Sequence, residues 1–208
     1  RKPADAASAL VEPSLIVDPD QKRWIDRLIT DVPGSGIHDI SVRPATGIAY
    51  LLTRAKRDDA DLTLSPVPKG RSAAPAMSID AQADTLQSFH FDDVRTTPAS
   101  PAAATDHAVF RTFDGQVFEF SGHREAQKAF VTIAASRDAT LASQFPPTPA
   151  KPGVPAAPAA APDHAVEILS ARAKGVEYEI PVYKYEALFK KQEDLLEKLP
   201  EPVKKKSK

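Results

Sequence analysis

Two stretches of this chain carry the same strand–turn–strand pattern 68 residues apart, and that recurrence limits the folds open to it. Setting "HDISVRPATGIAYLL" (38–52) on "DHAVFRTFDGQVFEF" (106–120) brings Ile40 onto Ala108, Val42 onto Phe110 and Arg43 onto Arg111. Gly47 then meets Gly115, Tyr50 meets Phe118, Leu52 meets Phe120, and further on Leu62 meets Phe130 without a gap. In both copies apolar residues alternate with polar ones, the period of a strand with one buried face. Each copy has a glycine at the turn, where a hairpin needs positive φ. The pattern predicts an α+β protein of two related units, each of short antiparallel strands with helices packed on one face of the sheet.

The boundaries follow from punctuation. Residues 1–14, "RKPADAASALVEPS", read as a disordered lead-in, and the first unit spans 15–97. The second spans 105–200 and holds a Pro/Ala-rich insert at 146–162 with seven prolines, expected to be extended. Residues 201–208 form a basic, solvated tail.

Within the first unit, Trp24, Ile25, Leu28 and Ile29 have helical spacing, closed by Val32 and Pro33. Ile48, Tyr50 and Leu52 are predicted on one strand face, with Leu62 and Leu64 on another. "SIDAQADTLQSFHFDDV" (78–94) reads as a short helix begun at Ser78 or Asp80, followed by a strand. Near the C-terminus, Asp163 is the expected N-cap of a helix whose stripe is Ala165, Val166, Leu169 and Ala173, stopped by Gly175. "VEYEIP" (176–181) alternates as a strand that Pro181 ends. From Tyr183, the positions of Tyr185, Leu188, Phe189, Leu195, Leu196 and Leu199 predict one amphipathic helix lying on the sheet.

Composition excludes several functions. The 208 residues contain no cysteine, which removes disulfides, thiolate catalysis and cysteine-ligated metal sites. A net charge of -1 offers no field to draw nucleic acid or an anionic membrane. The five histidines (38, 90, 107, 123 and 164) lack zinc-ligand spacing, and adjacent polar residues on a strand point to opposite faces, so His90 with Asp92 and Asp93, and the "DH" pairs at 106–107 and 163–164, are not expected to converge on a metal. No G-x-S-x-G, P-loop or dinucleotide fingerprint occurs, and Asp114–Gly115 is a turn. No catalytic residue, cofactor or metal is therefore expected. The candidate partner surface is Glu177 and Glu179, on the polar face of their strand, with Tyr183 at the start of the last helix.

The stretch 24–71, "WIDRLITDVPGSGIHDISVRPATGIAYLLTRAKRDDADLTLSPVPKGR", resembles an uncharacterised bacterial family, the domain of unknown function "forty-three forty". The likeness lies in the opener at 28–33, Gly47, Leu52 with Arg54, Leu62 with Leu64, and 68–71. "FHFDDV" (89–94), "TFDGQVFEF" (112–120) and "LSARAKGVEYEIPVYKYEALFKKQEDLL" (169–196) are similar to its later signatures, so it covers about 15–198 without the insert. The resemblance implies a non-enzymatic, extracytoplasmic accessory or interaction module of an ABC-type transport system. Its implied partners are the transporter's membrane subunits. The implied membrane anchor is absent from this chain, which begins at Arg1, and a preceding segment is expected. The family has no agreed catalytic residues to carry over. An envelope glycan- or peptide-binding module is the alternative, and an enzyme of unknown class the third.

Overall fold

Where apolar and polar residues alternate, the computed structural model places antiparallel strands. It describes residues 24–98, 105–146 and 164–197. The lead-in, all of the insert except Pro146, the Asp163 cap, Leu199 and the basic tail lie outside the described residues.

In chain order the strands are β1 (Leu28–Thr30), β2 (Ile37–Arg43), β3 (Tyr50–Thr53), β4 (Thr63–Ser65), β5 (Phe89–His90) and β6 (Asp93–Thr96). They continue as β7 (Asp106–Thr112), β8 (Gln116–Glu125), β9 (Lys128–Arg137) and β10 (Val176–Ile180). The α-helices are α1 (Ala76–Asp80), α2 (Ala139–Gln144), α3 (His164–Ala173) and α4 (Val182–Leu188). The architecture is α+β. β1 and β5 form a two-stranded ribbon, and the other strands form one sheet in the order β4-β3-β2-β7-β8-β9-β10-β6. The two predicted units thus share a single sheet. β6, from the first half, crosses to pair with β10 at the far edge.

The 68-residue offset reappears in the register. Ser41 faces Val109 across the β2–β7 pair, and 109 minus 41 is 68. Ile40 faces Phe110 while Val42 faces Ala108, so a two-fold axis through the Ser41–Val109 pair exchanges the two strands. Ile40 pairs with Leu52 in one half, and Ala108 with Phe120 in the other, each position moved by 68. The third strand departs from this. Leu52 pairs with Leu64, but Phe120 pairs with Ile133, one residue beyond the offset. The match of Leu62 to Phe130 is therefore corrected to Val131. A one-residue slip reverses the face of every side chain. Phe130 accordingly lies on the outer face, while Val131 and Ile133 join the core.

The inner face buries Ile40, Leu52, Phe110, Phe120 and Ile180 under α1, α3, α4 and the β1–β5 ribbon. Phe120 meets Phe89 at 5.6 Å and Phe110 at 5.9 Å, both edge-to-face, the geometry that aromatic quadrupoles favour. α4 approaches closely because position 122 has no side chain. A Cβ on Gly122 would stand 2.5 Å from the Phe189 ring and 2.7 Å from that of Tyr185. Gly47 and Gly115 hold φ of 127° and 79°, as the hairpins demand, and Gly175, after α3, has φ 74°.

Local spacing misleads in five places. Residues 28–30 are strand, not helix, because β5 pairs with them, and Trp24 is 66% exposed. Ile48 lies outside β3 and is exposed, and Ala165 is exposed on α3. α1 starts at Ala76 after Pro75, and the Asp80 carboxylate instead accepts the Leu62 amide at 2.7 Å. The last helix stops at Leu188. Beyond it, a short 3-10 turn (Gln192–Leu195) leads to extended chain, where the Leu195 carbonyl accepts from Ala74 and the Glu197 amide donates to Ser72. Those bonds to a distant loop are open only to a chain that has left the helix.

Gly122→Ala is expected to cost about 1–3 kcal/mol through overpacking against Tyr185 and Phe189, measured by urea unfolding. Ala126 holds φ 53° in the two-residue β8–β9 turn. Ala126→Gly should relieve that strain and raise stability by about 1 kcal/mol or less in the same experiment.

Candidate functional site

The outer face of the sheet carries the polar residues, and register alone assembles its densest cluster. His123 on β8 pairs with Phe130 on β9, which pairs with Glu179 on β10, which pairs with Asp93 on β6. In the outward-facing row on one side of it Arg95 is opposite Glu177, and in the row on the other side Glu125 is opposite Lys128. These side chains share one face because each occupies the outward position of its strand.

Arg95 organises them. Its guanidinium carbon lies 3.6 Å from the centre of the Phe130 ring, a cation–π contact. Its Nε donates to Glu177 Oε2 at 3.0 Å, and its two terminal nitrogens donate to Glu125 Oε2 and Oε1 at 3.0 and 2.7 Å. His123 also stacks with the Phe130 ring, 5.7 Å between centres, and its Nε2 stands 3.1 Å from Glu125 Oε1. Lys128 closes on Glu179 Oε2 at 2.7 Å. The Arg95 hydrogen bonds, with a further one from His123, hold the Glu125 carboxyl well below the usual range, at about 2. The same pairing, with Glu125 first and Glu177 adding, pushes Arg95 up. Three carboxylates are thus spoken for by two cations and an imidazole. The arrangement fixes a charge pattern and splits no pair of carboxyls into acid and base.

The structure separates the three residues of the predicted partner surface. Glu177 and Glu179 do share the polar face, but Glu177 is buried, with 5% of its surface exposed, because Arg95 covers it. Its expected exposure is corrected on that ground. Glu179 is half-buried beside Lys128. Tyr183 is 67% exposed on α4, whose Tyr185 and Leu188 pack into the inner-face core. It belongs to the opposite side of the sheet.

A second cluster lay hidden in the sequence. A register irregularity between Ile37 and Asp39 turns two consecutive residues together. His38 Nδ1 meets Asp39 Oδ2 at 2.7 Å, and Arg111 reaches Asp39 Oδ1 at 3.4 Å. The imidazole contacts the rings of Phe113 and Phe145 at 5.1 and 4.8 Å between centres. Arg57 binds Asp114 at 2.6 Å and the Phe145 carbonyl, holding that corner shut. Adjacent residues on a regular strand point to opposite faces, and the irregularity lets His38 and Asp39 meet here. Elsewhere His107 Nδ1 meets the Ser121 hydroxyl at 3.0 Å, with Nε2 on the Thr105 hydroxyl at 2.9 Å. One histidine has the carboxylate and the other has the hydroxyl, so neither contact set joins nucleophile, base and acid.

Among the described residues no group of three or more His, Asp or Glu is placed to hold a metal ion. None of their helices is long and apolar enough to cross a membrane. No family model, curated protein or solved structure matches the chain.

Arg95→Ala leaves the Glu177 carboxylate buried and unpaired. The expected cost is about 2 kcal/mol, below that of a fully buried pair because Arg95 is itself a third exposed. Adding Glu177→Gln should recover part of it in urea unfolding. The sign of the pH effect follows from Glu125, whose folded value is depressed. Its contribution is complete above the ordinary carboxyl value of 4.5 and is lost as pH falls toward 2. In Arg95→Ala the Glu125 midpoint, followed by carboxyl NMR, should move up toward 4.5.

Proposed function

We propose that the chain is a non-enzymatic interaction module, and that its outer sheet face is the contact surface for a membrane subunit of an ABC-type transport system. The observation that supports this reading is the row Leu51–Ser41–Val109–Glu119–Ala134, which crosses five strands in register. Each of these side chains is half-buried or exposed, and the two-fold pair Ser41–Val109 lies at its centre. Four inter-strand spacings make the row about 19 Å wide. A row of three apolar and two polar residues on an open sheet face matches the mixed composition of a non-obligate protein interface better than the concave lining of a ligand pocket. α2 packs at one end, where Asp138, its cap, accepts from Leu141 and the Asp138 amide donates to Gly115.

The transporter subunit, the extracytoplasmic location and a membrane anchor in the full-length protein are supported by the resemblance to the "forty-three forty" family.

A photo-crosslinking side chain at Val109 in the full-length protein, activated in native membranes, should capture a transporter membrane subunit. The same group at Tyr183, on the opposite side, should not. Leu51→Arg with Ala134→Arg changes exposed positions, so stability should hold within about 0.5 kcal/mol while capture is lost. Recovery of the protein free in the cytosol, or capture of no transporter component, would overturn the assignment.

A further inference from the structure

The row Leu51–Ser41–Val109–Glu119–Ala134 carries a single charge. Glu119 is exposed on β8 and has no hydrogen-bond or ion-pair partner among the described residues. Other outward carboxylates are neutralised within the sheet. Asp39 meets Arg111, Glu125 and Glu177 share Arg95, and Glu179 holds Lys128. The neighbours of Glu119 offer it no cation. Val109 and Ala134 flank it across the strands, and Val117 and Ser121 are the next outward positions on β8. Arg111, diagonal to it through the Arg111–Val117 pair, is engaged by Asp39. Nor does the strand call for a glutamate here. β8 lies inside the sheet, between β7 and β9, where β-branched and aromatic side chains fit the pleated surface better.

The internal two-fold sharpens the contrast. Leu51 pairs with Ser41 and Glu119 with Val109, and 119 minus 51 is 68, so the two positions are equivalent in the two halves. Equivalent backbone sites thus hold an aliphatic side chain, 37% exposed, and an unpaired carboxylate. Three inter-strand spacings separate them by about 14 Å. Arg43, exposed on β2 and also without a partner among the described residues, adds positive charge on the Leu51 side of the Ser41–Val109 pair. The face is therefore polarised along the row, apolar and positive toward one end and negative toward the other.

We infer that the partner protein meets this face in one orientation, with a lysine or arginine side chain on Glu119 and an apolar side chain on Leu51, about 14 Å apart. This orientation presupposes the outer-face contact proposed above and supplies the chemistry of the partner's side of it. Turned end for end, the partner's basic side chain would face Arg43. Its apolar side chain would then strip water from the Glu119 carboxylate without compensation, and both effects reject that arrangement.

The test uses the Val109 photo-crosslinking side chain in the full-length protein in native membranes, with the captured transporter membrane subunit identified by mass spectrometry. Glu119→Lys should lower its capture about tenfold or more, and Glu119→Gln about threefold. Thermal stability should hold in both, because the Glu119 carboxylate has no protein contact to lose. Raising salt from about 0.05 to about 0.5 M should lower capture with Glu119 in place and leave the residual capture by Glu119→Gln as it was. Glu186→Lys, the same change of charge at an exposed position of α4 on the opposite side, should have no effect. No capture with Glu119 in place overturns the outer-face reading and this orientation with it. Capture that survives in Glu119→Lys, that falls equally in Glu186→Lys, or that is indifferent to salt overturns the orientation alone.

Discussion

The pairing of β2 with β7, centred on Ser41 and Val109, joins two three-stranded meanders into one sheet. A three-stranded meander has one apolar face and two raw edges, and alone it buries too little to be secure. Pairing through the first strand of each removes one edge from both and brings Ile40, Phe110, Val42 and Ala108 into one continuous apolar floor. α1, α4 and the β1–β5 ribbon then have a single surface to cover. The crossing of β6 to the far edge locks the halves, since residues of the first half complete the sheet of the second.

Burial and charge divide between the two faces. The inner face is held by close packing, and its demands are steric, as Gly122 beneath the Tyr185 and Phe189 rings illustrates. Burial of the Tyr185 hydroxyl, with its hydrogen bond to Asp106 at 2.6 Å, pushes its pKa up and keeps it a donor. The outer face is held by pairing. Arg95 carries two carboxylates and lies on Phe130, so an otherwise costly buried Glu177 is compensated in place. Buried Arg54 plays a comparable part at the sheet's end, donating to the carbonyls of Gly34, Ile37 and Ala60 and so pinning two loops to β3.

The alternation of 38–43, 50–52, 106–112 and 176–180 was plain from residue types, because side chains on a strand alternate whatever the strand pairs with. The Gly47 and Gly115 turns were legible for the same local reason. Phe130 was misplaced since one added residue in a hairpin flips a face, and composition does not record it. The His38–Asp39 contact depends on a bulge, and Arg95 meets Glu177 across 82 residues of chain.

Sequence alone determined the secondary-structure class, the strand faces in the first two strands of each half, and the absence of cysteine chemistry, since each follows from local periodicity or composition. Tertiary structure decided that there is one sheet and not two, that residues 28–30 are strand, and that the last helix breaks after Leu188. It also decided which carboxylate is covered. The physical reason is the same throughout. Hydrogen-bond partners and covering surfaces come from distant parts of the chain, and where they compete with a local preference they prevail.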